Sequence, residues 1–510
     1  MPGNTFLPIA GPLGATIGLA LGAIAMLILA ANYHYLMNRY PDVGGSYAFT
    51  RESFGYDHGF VSAWFLILTY GAIIWANASA LPLIARTLLG STFQFGFDYE
   101  IAGFHVYMGE ILLAVASLVV AALACLRRKV AELLQIGMAA LLLGGVGVCF
   151  AAGIANPAGG AALMTPAIAP NENPLGDVFT IFALAPWAFV GFESISHSAP
   201  EARFPLKRTF AILVAAIVSA GAVYIALVLL ATTALPEGCS SWVEYVAHLG
   251  DYSGVQSQPT FFAAFQAMGL AGSVALGLAS LGGIITGLVG HYVALSRLLI
   301  ALADDGMLPA SIGETDENHV PRRAILCILL SSVLLPFLGR TAISWIVDVT
   351  TVGATIAYAF SSAGALKTAR REHNRPIQIT GAIGLAISLL FALDFLVPNL
   401  IAVKTLSTES YLILALWGIL GFMYFRYVLA SDDKRRFGRS IVAWVIMLGL
   451  VIFTSSVWVR QTANNALEEA TRVIEEQGST DNVASLLEGV EDAMLASIGR
   501  LSRMPHGNLH

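Results

Sequence analysis

Apolar residues run through this chain in long blocks separated by short polar links. The pattern fits neither the two-residue alternation of a half-buried strand nor the narrow apolar stripe of a surface helix. A helix needs about 20 apolar residues to cross a hydrocarbon core of roughly 30 Å. Twelve blocks of about this length are read, over residues 13 to 36, 59 to 85, 109 to 126, 133 to 155, 178 to 198, 209 to 235, 263 to 291, 323 to 339, 341 to 366, 378 to 397, 409 to 430 and 440 to 459. The eighth and ninth are parted only by Gly339 and Arg340.

The links between blocks fall into two alternating sets of very different charge. One holds Arg39, Arg51, Arg127, Arg128, Lys129, Arg203, Lys207, Arg208, Arg297, Arg322, Arg323, Lys367, Arg370, Arg371, Arg375, Arg426, Lys434, Arg435, Arg436 and Arg439; the other holds Arg86, Arg340 and Lys404. Basic residues mark cytoplasmic links, so the first set is cytoplasmic. Twelve crossings then put both Met1 and the C-terminal tail outside.

Composition narrows the class further. The chain of 510 residues is 57% apolar and 12% charged, with a mean hydropathy of +0.73, far from the quarter or so of charged residues in soluble proteins. It is an all-α integral membrane protein with the lipid bilayer as its solvent. Lys+Arg number 27 against 33 Asp+Glu, which leaves no basic excess for nucleic acid. Cys125, Cys149, Cys239 and Cys327 show no metal-ligand spacing, and no cleavable signal peptide precedes the first block. No cluster of His, Asp and Glu recurs at one membrane face, so an enzyme is not expected.

Three motifs carry a resemblance. In the first cytoplasmic link, Pro41, Gly44, Gly45 and Tyr47 of YPDVGGSYAF are followed by Gly55, Gly59, Phe60 and Trp64. The fifth block reads APWAFVGFESISHSAPEARFPLKRT, with Phe189, Gly191, Phe192 and Glu193 in sequence. Ser296, Arg297, Asp305, Gly306, Leu308 and Pro309 lie in SRLLIALADDGMLP. In order and on consistent sides, these resemble the P-x-x-G-G-x-Y, F-x-G-F-E and S-R…D-G-x-L-P motifs of the amino acid, polyamine and organocation (APC) permease superfamily. The family usually continues after F-x-G-F-E with two glutamates and Asn-Pro; here Pro200 and Glu201 stand at the glutamates, Phe204 replaces the asparagine, and Pro205 matches. The resemblance implies a LeuT-type inverted-repeat fold of two five-helix repeats, with substrate at the midplane between broken helices.

In that family a first broken helix supplies amides for the substrate carboxylate. MPGNTFLPIAGP is similar to the segment just after that break, so the chain is expected to lack the first transmembrane helix. That expectation agrees with the outside position of Met1.

The fifth block also reads as a site on its own chemistry. Pro186 removes a backbone donor and Gly191 lowers helix propensity. A break between them leaves polar backbone that a membrane tolerates only where it lines a cavity or meets a ligand; a kinked but continuous packing helix is the alternative. Trp187, Phe189, Gly191, Phe192 and Glu193 are the candidate substrate-binding residues. Glu193, mid-membrane, is either a gate or proton-sensitive link, or a neutral carboxyl hydrogen-bonded inside the bundle.

Ser280 and Thr286 lie among small residues that packing alone explains; they are also candidates for sodium coordination. Asp348, beside Thr350, Thr351 and Thr355, is a third candidate for coupling. Some proton-coupled members of the family this chain resembles place a lysine in the helix that corresponds to residues 133 to 155; this chain has none there, so lysine-based coupling is not expected. The expected coupling ion is H+ or Na+, with no other cofactor or metal. His34, His197 and His291, near block ends, read as satisfied interfacial histidines, with a proton relay as the alternative.

Three regions follow: a helical bundle over 1 to 430 with eleven of the crossings, a link and additional span over 431 to 460, and an acidic tail over 461 to 510. The tail carries eight acids against Arg472, Arg500 and Arg503. ALEEATRVIEE and NVASLLEGVEDAMLASIGRL, separated by GSTDN, predict two amphipathic helices for docking or homodimerisation. The resulting expectation is a secondary transporter of amino acids or related amines in a bacterial-type plasma membrane. A permease-like sensor that binds without transport is the alternative.

Overall fold

The computed structural model describes residues 2–101, 104–156, 164–171, 173–202, 204–339, 341–396, 406–432 and 434–477. In chain order it contains α1 (Pro2–Arg39), α2 (Ser46–Phe54), α3 (Tyr56–Leu89), a hairpin of β1 (Asp98–Ile101) and β2 (Phe104–Tyr107), α4 (Met108–Cys125), α5 (Arg128–Ala155), α6 (Pro174–Ala183), α7 (Ala185–Ala188) and a 3₁₀ segment (Phe192–Glu201). Then come α8 (Thr209–Leu230), α9 (Trp242–Ala247), α10 (Pro259–Met268), α11 (Leu270–Asp304), α12 (Ala310–Gly313), α13 (Arg322–Ser332), α14 (Thr341–Arg371), α15 (Arg375–Leu396), α16 (Thr408–Ser431) and α17 (Val442–Gln477).

Among the described residues, eleven helices are long and apolar enough to cross a bilayer. The difference from the expected twelve lies at 323 to 339. There α13 stops at Ser332 and a 3₁₀ turn, Leu335–Leu338, takes over around Pro336. A proline at that position cannot donate to the preceding turn, so a long helix is not available. Helix and turn together still bring the chain from the loop at 316–322 to the hairpin, where the Tyr99 hydroxyl donates to the Phe337 carbonyl.

Helix α1 packs against α6 and α8, α11 against α5 and α3, and α14 against α3, α15 and α2, while α16 and α17 form an outer pair. These contacts bury two large apolar clusters, one around Phe60, Tyr70, Leu288 and Tyr292 and one around Tyr33, Phe192, Tyr358 and Tyr411. The outer faces are apolar as well: Leu133 and Ile136 of α5 are each 71% exposed. Such a surface would drive association in water but is the normal lipid-facing surface of a bilayer protein.

Two backbone interruptions matter for the site. Helix α1 is broken at Gly11 (φ 71°, ψ 178°), a conformation open to glycine at no steric cost. A Cβ there would also lie 2.6 Å from the Ala169 nitrogen. The segment around Ala169 replaces the lost helical bonds, with Leu13 N–H donating to Ala167 O at 2.8 Å and Ala169 N–H to Ala10 O at 3.2 Å. The second interruption separates α7 from the 3₁₀ segment. The first stretch of the expected tail is no separate helix, because α17 runs unbroken through ALEEATRVIEE to Gln477; the second stretch lies outside the described residues.

Candidate functional site

Helix α6 begins with Pro174 at its first turn, where its missing N–H leaves no bond unmade, and Asn173 caps it by accepting from Gly176 N–H at 3.0 Å. It ends after only ten residues. Pro186 then opens the single turn of α7, and Gly191 adopts φ 108°, ψ −19°, a left-handed conformation that an L side chain resists. Beyond it the chain tightens into the 3₁₀ segment. The fifth block is therefore a broken helix, with the break over 184–191.

Glu193 folds back onto that break. Its Oε2 accepts from the Gly191 N–H at 2.9 Å and from the Tyr358 hydroxyl of α14 at 3.3 Å. The Tyr70 hydroxyl of α3, bonded to His197, stands near the carboxyl. Glu193 is 1% exposed, and its partners are one amide and hydroxyls from other helices. Each of these favours a fixed carboxyl in a place where a charged acid is expensive.

Two histidines complete the group. His197 Nδ1 lies 2.7 Å from the Val43 carbonyl, and its Nε2 lies 3.1 Å from the Tyr70 hydroxyl. His291 Nδ1 lies 2.8 Å from the Gly287 carbonyl. The Tyr70 ring stands edge-on to both imidazoles, with centroids 5.5 and 5.6 Å away. Both histidines are buried in the bundle, so the expected interfacial placement does not hold for them. His34 is nearer that expectation, half-buried with Nδ1 2.7 Å from the Thr209 hydroxyl.

The aromatic candidates diverge. Phe192 packs between Tyr33 and Tyr358, with both centroids at 5.7 Å, beside the carboxyl. Phe189 turns the other way, toward Tyr224 and the glycine positions 22 and 221 of α1 and α8. Trp187 is half-buried between two apolar clusters.

The coupling candidates stand apart from this group. Ser280 and Thr286 each donate to the carbonyl four residues back in α11, Leu276 and Gly282, at 2.8 and 2.7 Å. The small residues around them let α11 approach α5: a Cβ on Gly282 would meet Met138 O at 2.5 Å. Asp348 sits at the start of α16, where its Oδ2 accepts from Ser407 N–H at 2.9 Å and from the Ser410 hydroxyl at 2.7 Å. That is the chemistry of a helix cap.

At the end of the bundle that carries most of the basic links, two ion-pair clusters span different helices. Glu201 accepts from Arg297 of α11 and Arg128 of α5, both at 2.9 Å. Asp305 is held by Arg51, by the Tyr47 hydroxyl and by Arg436, while Arg51 also reaches Asp42 at 3.0 Å. Glu201 thus keeps a cross-helix ion pair although the neighbouring glutamate of the usual pattern is Pro200. Between the first cluster and the 3₁₀ segment lies a cavity of about 340 Å³ with Arg128, Glu132, Glu201 and Arg297 in its wall.

A family model described as amino acid permease matches residues 3–423. The chain is also 22% identical over 450 residues to the branched-chain amino acid permease BcaP of Lactococcus lactis subsp. cremoris, an alignment that covers 84% of this chain and 89% of that relative.

Proposed function

Because this chain belongs to the amino acid permease family, and is accordingly an amino acid transporter and not an enzyme, we propose that it carries apolar amino acids of the branched-chain kind by alternating access across a bacterial-type plasma membrane. The branched-chain reading is supported by the name of the Lactococcus relative and by the apolar and aromatic side chains around the break, Phe192, Tyr33 and Tyr358. One observation carries the reading: the backbone break at Gly191 is faced by Glu193, Tyr70, Tyr358 and His291 from four different elements. Interrupted helices with polar groups converging on them are how membrane carriers hold a polar solute at mid-depth.

The cross-helix ion pairs of Glu201 and Asp305 supply the cytoplasmic closure such a cycle needs. For coupling we propose H+ through Glu193. The Ser280 and Thr286 hydroxyls are engaged with their own helix, whereas the groups around Glu193 among the described residues are neutral.

Uptake of radiolabelled leucine, isoleucine and valine into proteoliposomes tests the proposal. Saturable uptake, competed by the other branched-chain amino acids, is expected. Saturable binding without flux would replace the transporter by a sensor.

A further inference from the structure

We infer that His291 receives the α-ammonium group of the substrate, through a lone pair on Nε2. The inference rests on the transport reading of the same site and adds a contact from α11 to it.

Hydrogen-bond direction fixes the chemistry of this ring. The Gly287 carbonyl can only accept, so His291 Nδ1, 2.8 Å away, carries the hydrogen. A neutral imidazole protonated at Nδ1 presents an acceptor at Nε2. His197 is fixed the same way, since its Nδ1 faces the Val43 carbonyl, but its Nε2 is satisfied by the Tyr70 hydroxyl. Among the described residues, the buried His291 Nε2 has no hydrogen-bond partner.

The unpartnered nitrogen looks at the helix break. A Cβ placed on Gly191 would lie 3.4 Å from His291 Nε2 and 3.3 Å from Cε1. The ring therefore rests against the one residue of the break that has no side chain, with Glu193 bonded to that residue's N–H on the other side. The titratable groups facing this space are Glu193 from its own segment, Tyr70 from α3, Tyr358 and Tyr33 from α14 and α1, and the two histidines. Buried acceptors without donors are exceptions that require a partner. What Nε2 lacks is a donor, and a primary ammonium brings three: one fits Nε2 and another the Glu193 carboxyl. A carboxylate would meet lone pairs there and is directed elsewhere.

The test compares leucine with 4-methylpentanoate, which has the same carbon skeleton and carboxylate without the amine, as ligands of the purified full chain. His291→Leu is expected to weaken leucine by about tenfold and to leave 4-methylpentanoate within about twofold, whereas His291→Gln, which offers an amide oxygen, recovers most of the leucine affinity. An equal loss for both ligands would assign His291 to packing, and an unchanged leucine affinity would leave the nitrogen to water; either overturns the inference. The wild-type protein supplies a second readout if His291→Leu does not fold. With ¹⁵N-labelled histidine, the Nε2 resonance of His291 should move on adding leucine and stay in place on adding 4-methylpentanoate, and the same movement with both ligands would contradict the assignment. A wild type that binds and moves no amino acid would refute the transport reading itself, a result distinct from any difference between the variants.

Discussion

The Tyr70 hydroxyl lies 3.1 Å from Nε2 of His197, inside the membrane bundle. Because the other nitrogen of that imidazole faces the Val43 carbonyl at 2.7 Å, the ring hydrogen is on Nδ1 and the hydrogen of Tyr70 points to Nε2. A lone pair of Tyr70 then faces Glu193, whose carboxyl accepts from the Gly191 N–H and the Tyr358 hydroxyl. Val43 belongs to the loop that also holds Asp42, Gly44 and Gly45, so these bonds link the surroundings of the buried acid to the ion-pair cluster of Asp42, Arg51 and Asp305.

Tyr70→Phe cuts that connection while keeping the ring. It leaves His197 Nε2 without a donor, a loss of about 1 to 3 kcal/mol in a buried site. The expected result is a lower melting temperature in detergent together with a fall in uptake rate. Phe425→Leu, in the same bundle but outside the polar group, should lower the melting temperature and leave the pH profile of uptake unchanged. A Tyr70→Phe protein with a wild-type pH profile would remove Tyr70 from the coupling path.

Gly191→Ala and Gly55→Ala form a matched pair. Both glycines have positive φ, 108° and 97°, so both alanines bear backbone strain of about 1 to 3 kcal/mol. At Gly191 the new methyl meets the His291 ring at 3.3 Å, whereas at Gly55 no described residue lies within 4 Å. Gly191→Ala should therefore abolish binding of leucine measured by calorimetry, whereas Gly55→Ala should lose stability and keep its affinity. Equal affinities in the two proteins would contradict the placement of the ligand at Gly191.

Much of this was legible in the chain. Blocks of apolar residues locate the helices because a bilayer imposes length and composition on each, and Pro186 with Gly191 locates the break because both act through their own backbone. What surrounds the break was not legible. Tyr358 lies 165 positions from Glu193 and Tyr70 lies 127 from His197, and no local pattern distinguishes them from other tyrosines in apolar helices. Asp348 shows the converse. As an acid within an apolar block it suggests coupling, but its position ten residues before Tyr358, about 15 Å along α14, puts it at the start of α16.

Asp348→Ala should accordingly act on stability. Losing the cap of α16 is expected to cost about 1 to 2 kcal/mol, seen as a lower melting temperature, with the pH dependence of uptake unaltered. A shifted pH profile at wild-type stability would return Asp348 to the coupling machinery.

Asp316, in the loop before α13, gives a pH test outside the membrane-spanning helices. The Val320 N–H, then the Asn318 N–H and the Arg322 guanidinium, hold its carboxyl below the ordinary value of 3.8. A depressed folded-state value means that the loop's stabilisation is fully present above the unfolded value and is lost as pH falls through the folded one. Limited proteolysis at 316–322 should therefore be slow near pH 5 and accelerate below pH of about 3.8, the unfolded reference. Asp316→Asn should be cleaved readily at both; equal rates for the two proteins at pH 5 would contradict the clamp.

The central claim is that Glu193 carries the coupling proton beside the substrate. The direct measurement is leucine uptake into proteoliposomes under an imposed pH gradient, compared with exchange of leucine at equal pH on both sides, for the wild type and Glu193→Gln. The account predicts that the wild type accumulates leucine when the outside is acidic, and that Glu193→Gln, which keeps the carbonyl acceptor for Gly191 and Tyr358, still exchanges leucine but no longer accumulates it. Accumulation by Glu193→Gln at the wild-type level would contradict the account.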